Sequence, residues 1–224
     1  MARNKYPEET VRLILDQAMK LFAEKGYEKT SIQDIIDHLG GLSKGAIYHH
    51  FKSKEDIFQA VTQKIGEENR LYYDQMRDDP TKNGYEKLKA MFTSAYRNPN
   101  NEFVIAMNDQ IVSDPKFLME QIRGSYELVA PCYLEPVIRQ GIADGSLKTD
   151  YPKELASLLI TLLNVWINPM IAPATGEELR KKLEFFHVLL DGIGIDLLDE
   201  ETITQYVRYC ERFHAPAADG TSGA

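Results

Sequence analysis

The sequence predicts an all-α protein, with a small helical head followed by a larger helical body. Three observations carry that reading. Apolar residues recur at helical spacing along almost the whole chain. No alternating stretch bounded by turn signals is long enough to mark a sheet. Capping and stop residues fall at the ends of the periodic segments, so punctuation and pattern agree.

The first helix is expected from about Pro7, a residue suited to a first turn, with Glu8 and Glu9 at the positive end of the dipole. Val11, Ile14, Ala18, Leu21 and Phe22 share one face, and Gly26 is the expected stop. A second helix begins at Thr30 or Ser31, where Thr30 and Gln33 have capping-box spacing. Ile32, Ile35, Ile36 and Leu39 give its stripe, and Gly40-Gly41 end it. A third, short helix runs from an N-cap at Ser43 to about His50. The fourth starts at Ser53, with Asp56 completing a cap signature, and reaches about Met76 on an inner face of Ile57, Phe58, Val61 and Ile65.

After a loop over Asp79–Gly84, helices are expected over Tyr85–Arg97, Glu102–Val112 and Lys116–Ala143. Proline lacks a donor and crowds the preceding turn, so Pro131 and Pro136 should kink or break the last of these. Asp144-Gly145 closes it. Pro152–Asn168 and Glu177–Ile195 are strongly apolar helices, the second capped by Thr175 and Glu178, and Glu200–Phe213 forms a last short one. The small, polar tail is expected to be disordered. The organisation is therefore a head over 1–53, a connecting helix over 54–76, a body over 77–214 and a tail over 215–224.

A chain of 224 residues, 43% hydrophobic, can bury a sizeable core. The longest apolar candidate, Leu155–Ile171, is broken by Ser157, Thr161, Asn164, Asn168 and Pro169, so no membrane span is expected. The start is polar and lacks the apolar stretch of a signal peptide. Two cysteines, Cys132 and Cys210, suggest no disulfide framework and fit a cytoplasmic protein. The formal net charge of −8 argues at first against nucleic acid. However, residues 1–60 hold nine of the 26 Lys/Arg and nine of the 34 Asp/Glu, so the excess lies wholly beyond them. Residues 42–54 carry Lys44, Lys52 and Lys54 with no acid, and local potential decides whether a phosphate backbone is welcome.

Residues 31–54 read SIQDIIDHLGGLSKGAIYHHFKSK. Two short helices joined by a tight glycine turn make a helix-turn-helix, whose second helix presents side chains to the major groove. Such a helix needs small residues where the DNA backbone comes close, and Gly45 and Ala46 supply them. It also needs donors, and Ser43, Lys44, Tyr48, His49, Lys52 and Lys54 supply those. The start of the fourth helix offers further N–H groups to a phosphate.

This segment resembles the DNA-binding signature of the TetR family of repressors. The likeness rests on Thr30, Ile35, Ile36, Gly41, Leu42, Ser43, Lys44, Gly45, Ile47, Tyr48, His50, Phe51, Lys54 and Ile57. Upstream, Ala18, Leu21, Phe22, Gly26, Tyr27 and Thr30 extend it, and GIADGSL at Gly141–Leu147 is similar to the family's close of its seventh helix. The turn Leu39-Gly40-Gly41-Leu42 is one residue longer than the commonest pattern, which leaves the angle between the second and third helices open.

The resemblance implies a helix-turn-helix DNA-binding head and a helical ligand-binding and dimerisation body. It implies that Ser43, Lys44, Gly45, Tyr48 and His49 touch DNA, that Lys54 holds a phosphate, and that Thr30 and Ser31 meet the backbone. Ile47 and Phe51 would be core, and Arg3 and Lys5 a loose arm.

In the body, Phe92, Tyr96, Phe103, Met107, Gln110, Met119, Tyr126, Tyr133, Asn164, Trp166 and Asn168 are either core or the lining of a mostly apolar ligand pocket. The apolar load of the two late helices exceeds one inward stripe, through Leu155, Leu158, Leu159, Leu162, Leu163, Val165, Leu183, Phe185, Phe186, Val188, Leu189, Leu190 and Ile193. Leu155, Leu158, Leu159, Leu162, Phe186, Leu189 and Leu190 are the expected homodimer interface. The expected partners are a double-stranded DNA operator, a small-molecule effector and a second copy of the chain. No metal or cofactor is expected: His49 and His50 are adjacent and diverge around a helix, whereas ligands must converge. The competing readings, an all-helical enzyme or a helical interaction module without DNA, leave the Ser43–Lys54 phrase unexplained.

Overall fold

A computed structural model describes residues 7–41, 44–98, 100, 103, 105, 115–168 and 171–212, among which there is helix and no strand. The chain forms two compact units, Met1–Leu71 with Glu102–Gln110, and Tyr72–Asn101 with Ile111–Ala224. No helix among the described residues is long and apolar enough to cross a membrane. The expected N-terminal arm, the tail and most of the Glu102–Val112 helix lie outside the described residues.

In the first unit, α1 (Pro7–Lys25), α2 (Ile32–His38), α3 (Lys44–His50) and the start of α4 (Lys54–Asp78) surround one small core. Ile14, Ala18, Leu21, Phe22, Ile35, Ile47, Ile57 and Val61 are buried in it. Phe22, Tyr27 and Phe58 pack as a triad with centroids 4.9–6.0 Å apart. Gly40 (φ +47°) and Gly41 (φ +117°) both take left-handed backbone between α2 and α3. A side chain there would be strained, so the glycine pair is what accommodates the longer turn.

The N-cap of α2 is Ser31, which corrects the Thr30–Gln33 pairing. The Asp34 N–H donates to Ser31 Oγ (3.1 Å) and the Ser31 N–H to Asp34 Oδ2 (2.8 Å). Ser31 wins because Thr30 is turned inward.

The second unit is built from α5 (Gly84–Arg97), α6 (Pro115–Gly124), α7 (Glu135–Asp144), α8 (Pro152–Thr161), α9 (Gly176–Asp191) and α10 (Glu200–Glu211). Its core gathers Leu88, Phe92, Val137, Ile138, Leu159, Leu183, Phe186 and Tyr206, among others. Thr175 and Glu178 form the expected capping box of α9, and Asn83 and Glu86 form another on α5.

The prolines do not break the long helix. A π-helical stretch, Ser125–Leu134, joins α6 to α7 with Pro131 inside it, and Pro136 falls in the first turn of α7. In the wider register the Glu135 N–H donates to the Ala130 carbonyl, five residues back. A second π-helical stretch, Leu162–Trp166, follows α8 directly.

The GIADGSL phrase acts as a joint between α7 and α5. Gly145 takes φ +78° and ends α7. Asp144 Oδ2 accepts the Gly84 N–H (2.9 Å) and Ser146 Oγ the Tyr85 N–H (3.1 Å), so the loop caps α5. Leu147 is buried against Gly141. Gly141 meets Gly84 backbone to backbone: a Cβ on Gly84 would lie 2.1 Å from the Gly141 nitrogen.

Candidate nucleic-acid interface

On α3 the inward and outward faces separate cleanly. Ile47 is fully buried and Phe51 nearly so, which fixes the helix on the head core. Lys44, Gly45, Tyr48 and His49 are exposed, and their spacings of three and four residues put them on one outer face. Ala46 is half-buried beside them. Lys44 Nζ lies 5.9 Å over the Tyr48 ring, and Tyr48 keeps 43% of its surface exposed. Cation, phenol and imidazole thus project from a face whose small residue, Gly45, allows close approach. Ser43 lies outside the described residues.

The flanking candidates divide. Ser31 is exposed, but its backbone N–H is spent on Asp34. Asp34's carboxyl is held below the usual range by hydrogen bonds from Ser31 and then Lys25. Thr30 is only 1% exposed, and its hydroxyl donates to the Gly26 carbonyl (2.8 Å), with the Leu21 carbonyl 3.2 Å away. Its N–H donates to the Tyr27 carbonyl. Thr30 therefore braces the α1–α2 turn, and the phosphate role is corrected.

Lys54 also faces inward. Its Nζ donates to the Tyr27 carbonyl (2.8 Å) and sits 4.1 Å from the Tyr27 ring centroid. It ties α4 to the α1–α2 turn before it can serve a phosphate. The expected free N–H groups at the head of α4 are also partly taken. Ser53 Oγ accepts from the Asp56 N–H (3.0 Å), and Asp56 accepts from the Lys52 N–H (2.9 Å). Lys52's side chain remains exposed. Lys44, Gly45, Tyr48, His49 and Lys52 are therefore exposed, whereas Thr30 and Lys54 are engaged within the head.

Residues 14–61 match the family model described as bacterial regulatory proteins, tetR family. HTH-type transcriptional repressor KstR2 of Mycolicibacterium smegmatis is 29% identical over 189 residues, covering 80% of this chain and 88% of its own. HTH-type transcriptional repressor AcnR of Corynebacterium glutamicum is 27% identical over 180 residues, covering 80% and 90%. A transcriptional regulator from Cytophaga hutchinsonii shares the fold, with a TM-score of 0.59 at 19% identity over 92% of this chain and 96% of its own. Over residues 14–61 the chain thus carries a DNA-binding segment of the tetR type, and over about 80% of its length it is similar to HTH-type transcriptional repressors.

Among the described residues, the expected ligand residues of the body stand in several different places. Phe92 and Tyr133 are buried core. Phe103 belongs to the first unit, where its ring lies 6.4 Å from Phe58. Met119 is exposed, and Met107 and Gln110 lie outside the described residues. Tyr96 lines a cleft of about 310 Å³ with Lys89, Thr93, Arg97 and Asp199. Trp166 meets Phe185 edge-on at 6.1 Å.

The polar candidates each hold a hydrogen bond. Tyr126 Oη and Thr161 Oγ1 share a 2.5 Å hydrogen bond, Asn164 Nδ2 donates to Ser125 Oγ (3.2 Å), and Asn168 Nδ2 donates to the Asn164 carbonyl (3.1 Å). These pairs link the first π-helical stretch to α8 and the second. Among the described residues no three His, Cys, Asp or Glu side chains are grouped to hold a metal. Cys132 is exposed, and burial pushes the Cys210 thiol up to about 12, which suits packing rather than reactivity.

The expected interface residues divide between buried and exposed positions. Leu155, Leu159, Phe186 and Leu190 are buried in the unit's own core, so their assignment to a dimer surface is corrected. Leu162 is half-buried. Leu158 (46%) and Leu189 (44%) are exposed, in company with Phe185 (54%) and Val188 (63%). On α9 the inner stripe is Leu179, Leu183, Phe186 and Leu190, and the outer stripe is Phe185, Val188 and Leu189. One helix cannot bury both stripes in one core, which explains the surplus apolar load.

Proposed function

We propose that the chain is a cytoplasmic, ligand-responsive repressor that binds a pseudo-palindromic operator as a homodimer. The observation that carries this is the acid-free outer face of α3, with Lys44, Gly45, Tyr48 and His49 presented together. Two such helices in successive major grooves lie about 34–36 Å apart. The outer stripe of α9 with Leu158 is the two-fold contact, since exposed apolar patches of this kind mark association surfaces. An effector held in the body shifts the balance between two conformers by its differential affinity for them, and α4, which leaves the head as a single helix, carries the change. DNA then dissociates.

The test is salt-dependent binding to duplexes from the protein's own promoter region, read by fluorescence anisotropy. The wild-type chain should show log K falling linearly with log salt concentration. Lys44→Ala should weaken binding to all sequences and reduce that slope by about 1 per half-site. Lys54→Ala should cost head stability instead. Wild-type binding to no duplex in a salt-sensitive way would sink the reading.

A further inference from the structure

The end of α4 is fastened to the first π-helical stretch by one side chain. Arg77 Nη1 donates to the Cys132 carbonyl (3.3 Å), and the guanidinium lies 5.3 Å over the Tyr133 ring. Asp78 accepts from its Nε and Nη2 at 2.8 Å each, and Asp74 lies 2.9 Å from Nη2, so the fork is held in place. One helix turn earlier, the Tyr73 ring packs at a tilt against the same Tyr133 ring (centroids 5.6 Å), and its Oη is 3.3 Å from Ser94 Oγ. The Cys132 carbonyl is the one that the residue four positions on would serve in an α-helix. That residue is Pro136, which has no N–H. An α register would therefore leave this carbonyl without a backbone donor, and Arg77 supplies it with one from a side chain.

We propose that Arg77 is the positioning residue that ties α4 to the π-helical register of Ser125–Leu134, so that the two change together. A π-helical stretch holds more residues per turn than an α-helix, so returning to the α register rotates its carbonyls and rings about the axis. Cys132 and Tyr133 then leave the reach of Arg77, and the last turns of α4 are released. Two discrete registers make a bistable element, the kind that amplifies a small event at a ligand site. The polar pairs of Ser125 and Tyr126 with Asn164 and Thr161 stand at the opening of the same stretch, where a ligand that exchanged those bonds would bias the register. The regulatory meaning of this latch rests on the repressor reading; the latch itself does not.

The test uses the full chain without ligand. Amide hydrogen exchange is measured across 72–78 and 125–134 for the wild type, Arg77→Met, Arg77→Lys, Pro136→Ala and the Arg77→Met/Pro136→Ala double variant. Arg77→Met, which keeps the stem and removes the donors, should raise exchange in both segments tenfold or more. Arg77→Lys should restore most of the protection. With an N–H available at position 136, the effect of Arg77→Met should fall below threefold. Promoter-duplex affinity of Arg77→Met should differ from wild type at least fivefold. Unchanged exchange in Arg77→Met, or equal effects of it with and without Pro136, overturns the latch. If the wild type binds no duplex but the exchange pattern holds, the repressor reading fails and the latch stands. If Arg77→Met does not fold, Pro136→Ala with Arg77→Lys decides, since a latch predicts that the lysine chain is indifferent to position 136.

Discussion

A Gly84→Ala chain is expected to lose about 3 kcal/mol or more of stability in its second unit. The added Cβ would fall 2.1 Å from the Gly141 nitrogen, 2.3 Å from its Cα and 2.7 Å from the Val137 carbonyl. Those are backbone atoms in the middle of a helix, so no rotamer change relieves them. The α5–α7 crossing must open, and with it go the Asp144 and Ser146 caps on α5. Gly66→Ala is the matched control, because nothing lies within 4 Å of its Cβ and it sits on the exposed side of α4. That change should gain up to about 1 kcal/mol from helix propensity alone. Urea unfolding of both chains gives the comparison, and equal midpoints would contradict the packing described.

Replacing Phe185 and Val188 together by acids, Phe185→Glu with Val188→Asp, is expected to convert the chain to a monomer without unfolding it. Both side chains are more than half exposed, so their loss takes little from the core. In a two-fold contact on this stripe each charge would be buried unpaired, at a cost of several kcal/mol. Operator affinity should fall about 100-fold or more, because the two heads lose the advantage of being linked. Sedimentation velocity with circular dichroism checks both parts. A folded double variant that still sediments as a dimer would move the interface elsewhere. Phe186→Ala, aimed at the inner stripe, should instead cost about 3–5 kcal/mol of fold stability.

Much of the molecule is legible in its sequence because caps, glycines and periodicity are local. Gly26, Gly40, Gly41 and Gly145 all take the left-handed backbone that their positions demand. Thr175 and Glu178 form the box that their spacing announces. What periodicity lacks is phase. It identifies Phe185, Phe186, Val188, Leu189 and Leu190 as apolar, but only neighbouring helices decide which of them face inward. Thr30 shows the same limit, since a threonine beside an N-cap looks like the cap until its hydroxyl is seen to turn into the core. Pro131 and Pro136 mislead for another reason. A register change and a borrowed arginine donor meet the proline's demand without a break, and neither has a sequence signal of its own. Aromatic and amide residues at helical spacing serve core and pocket alike, so the sequence alone does not separate a ligand lining from packing.

Methylation interference on the bound promoter duplex tests most directly whether the outer face of α3 enters the major groove. Methyl groups placed on guanine N7 project into that groove. Interference is expected in two patches on one face of the duplex, centred one helical turn apart or a whole multiple of it, weakened in both by Lys44→Ala. Interference confined to the minor-groove edge of adenine, or a single patch for the intact dimer, would contradict it.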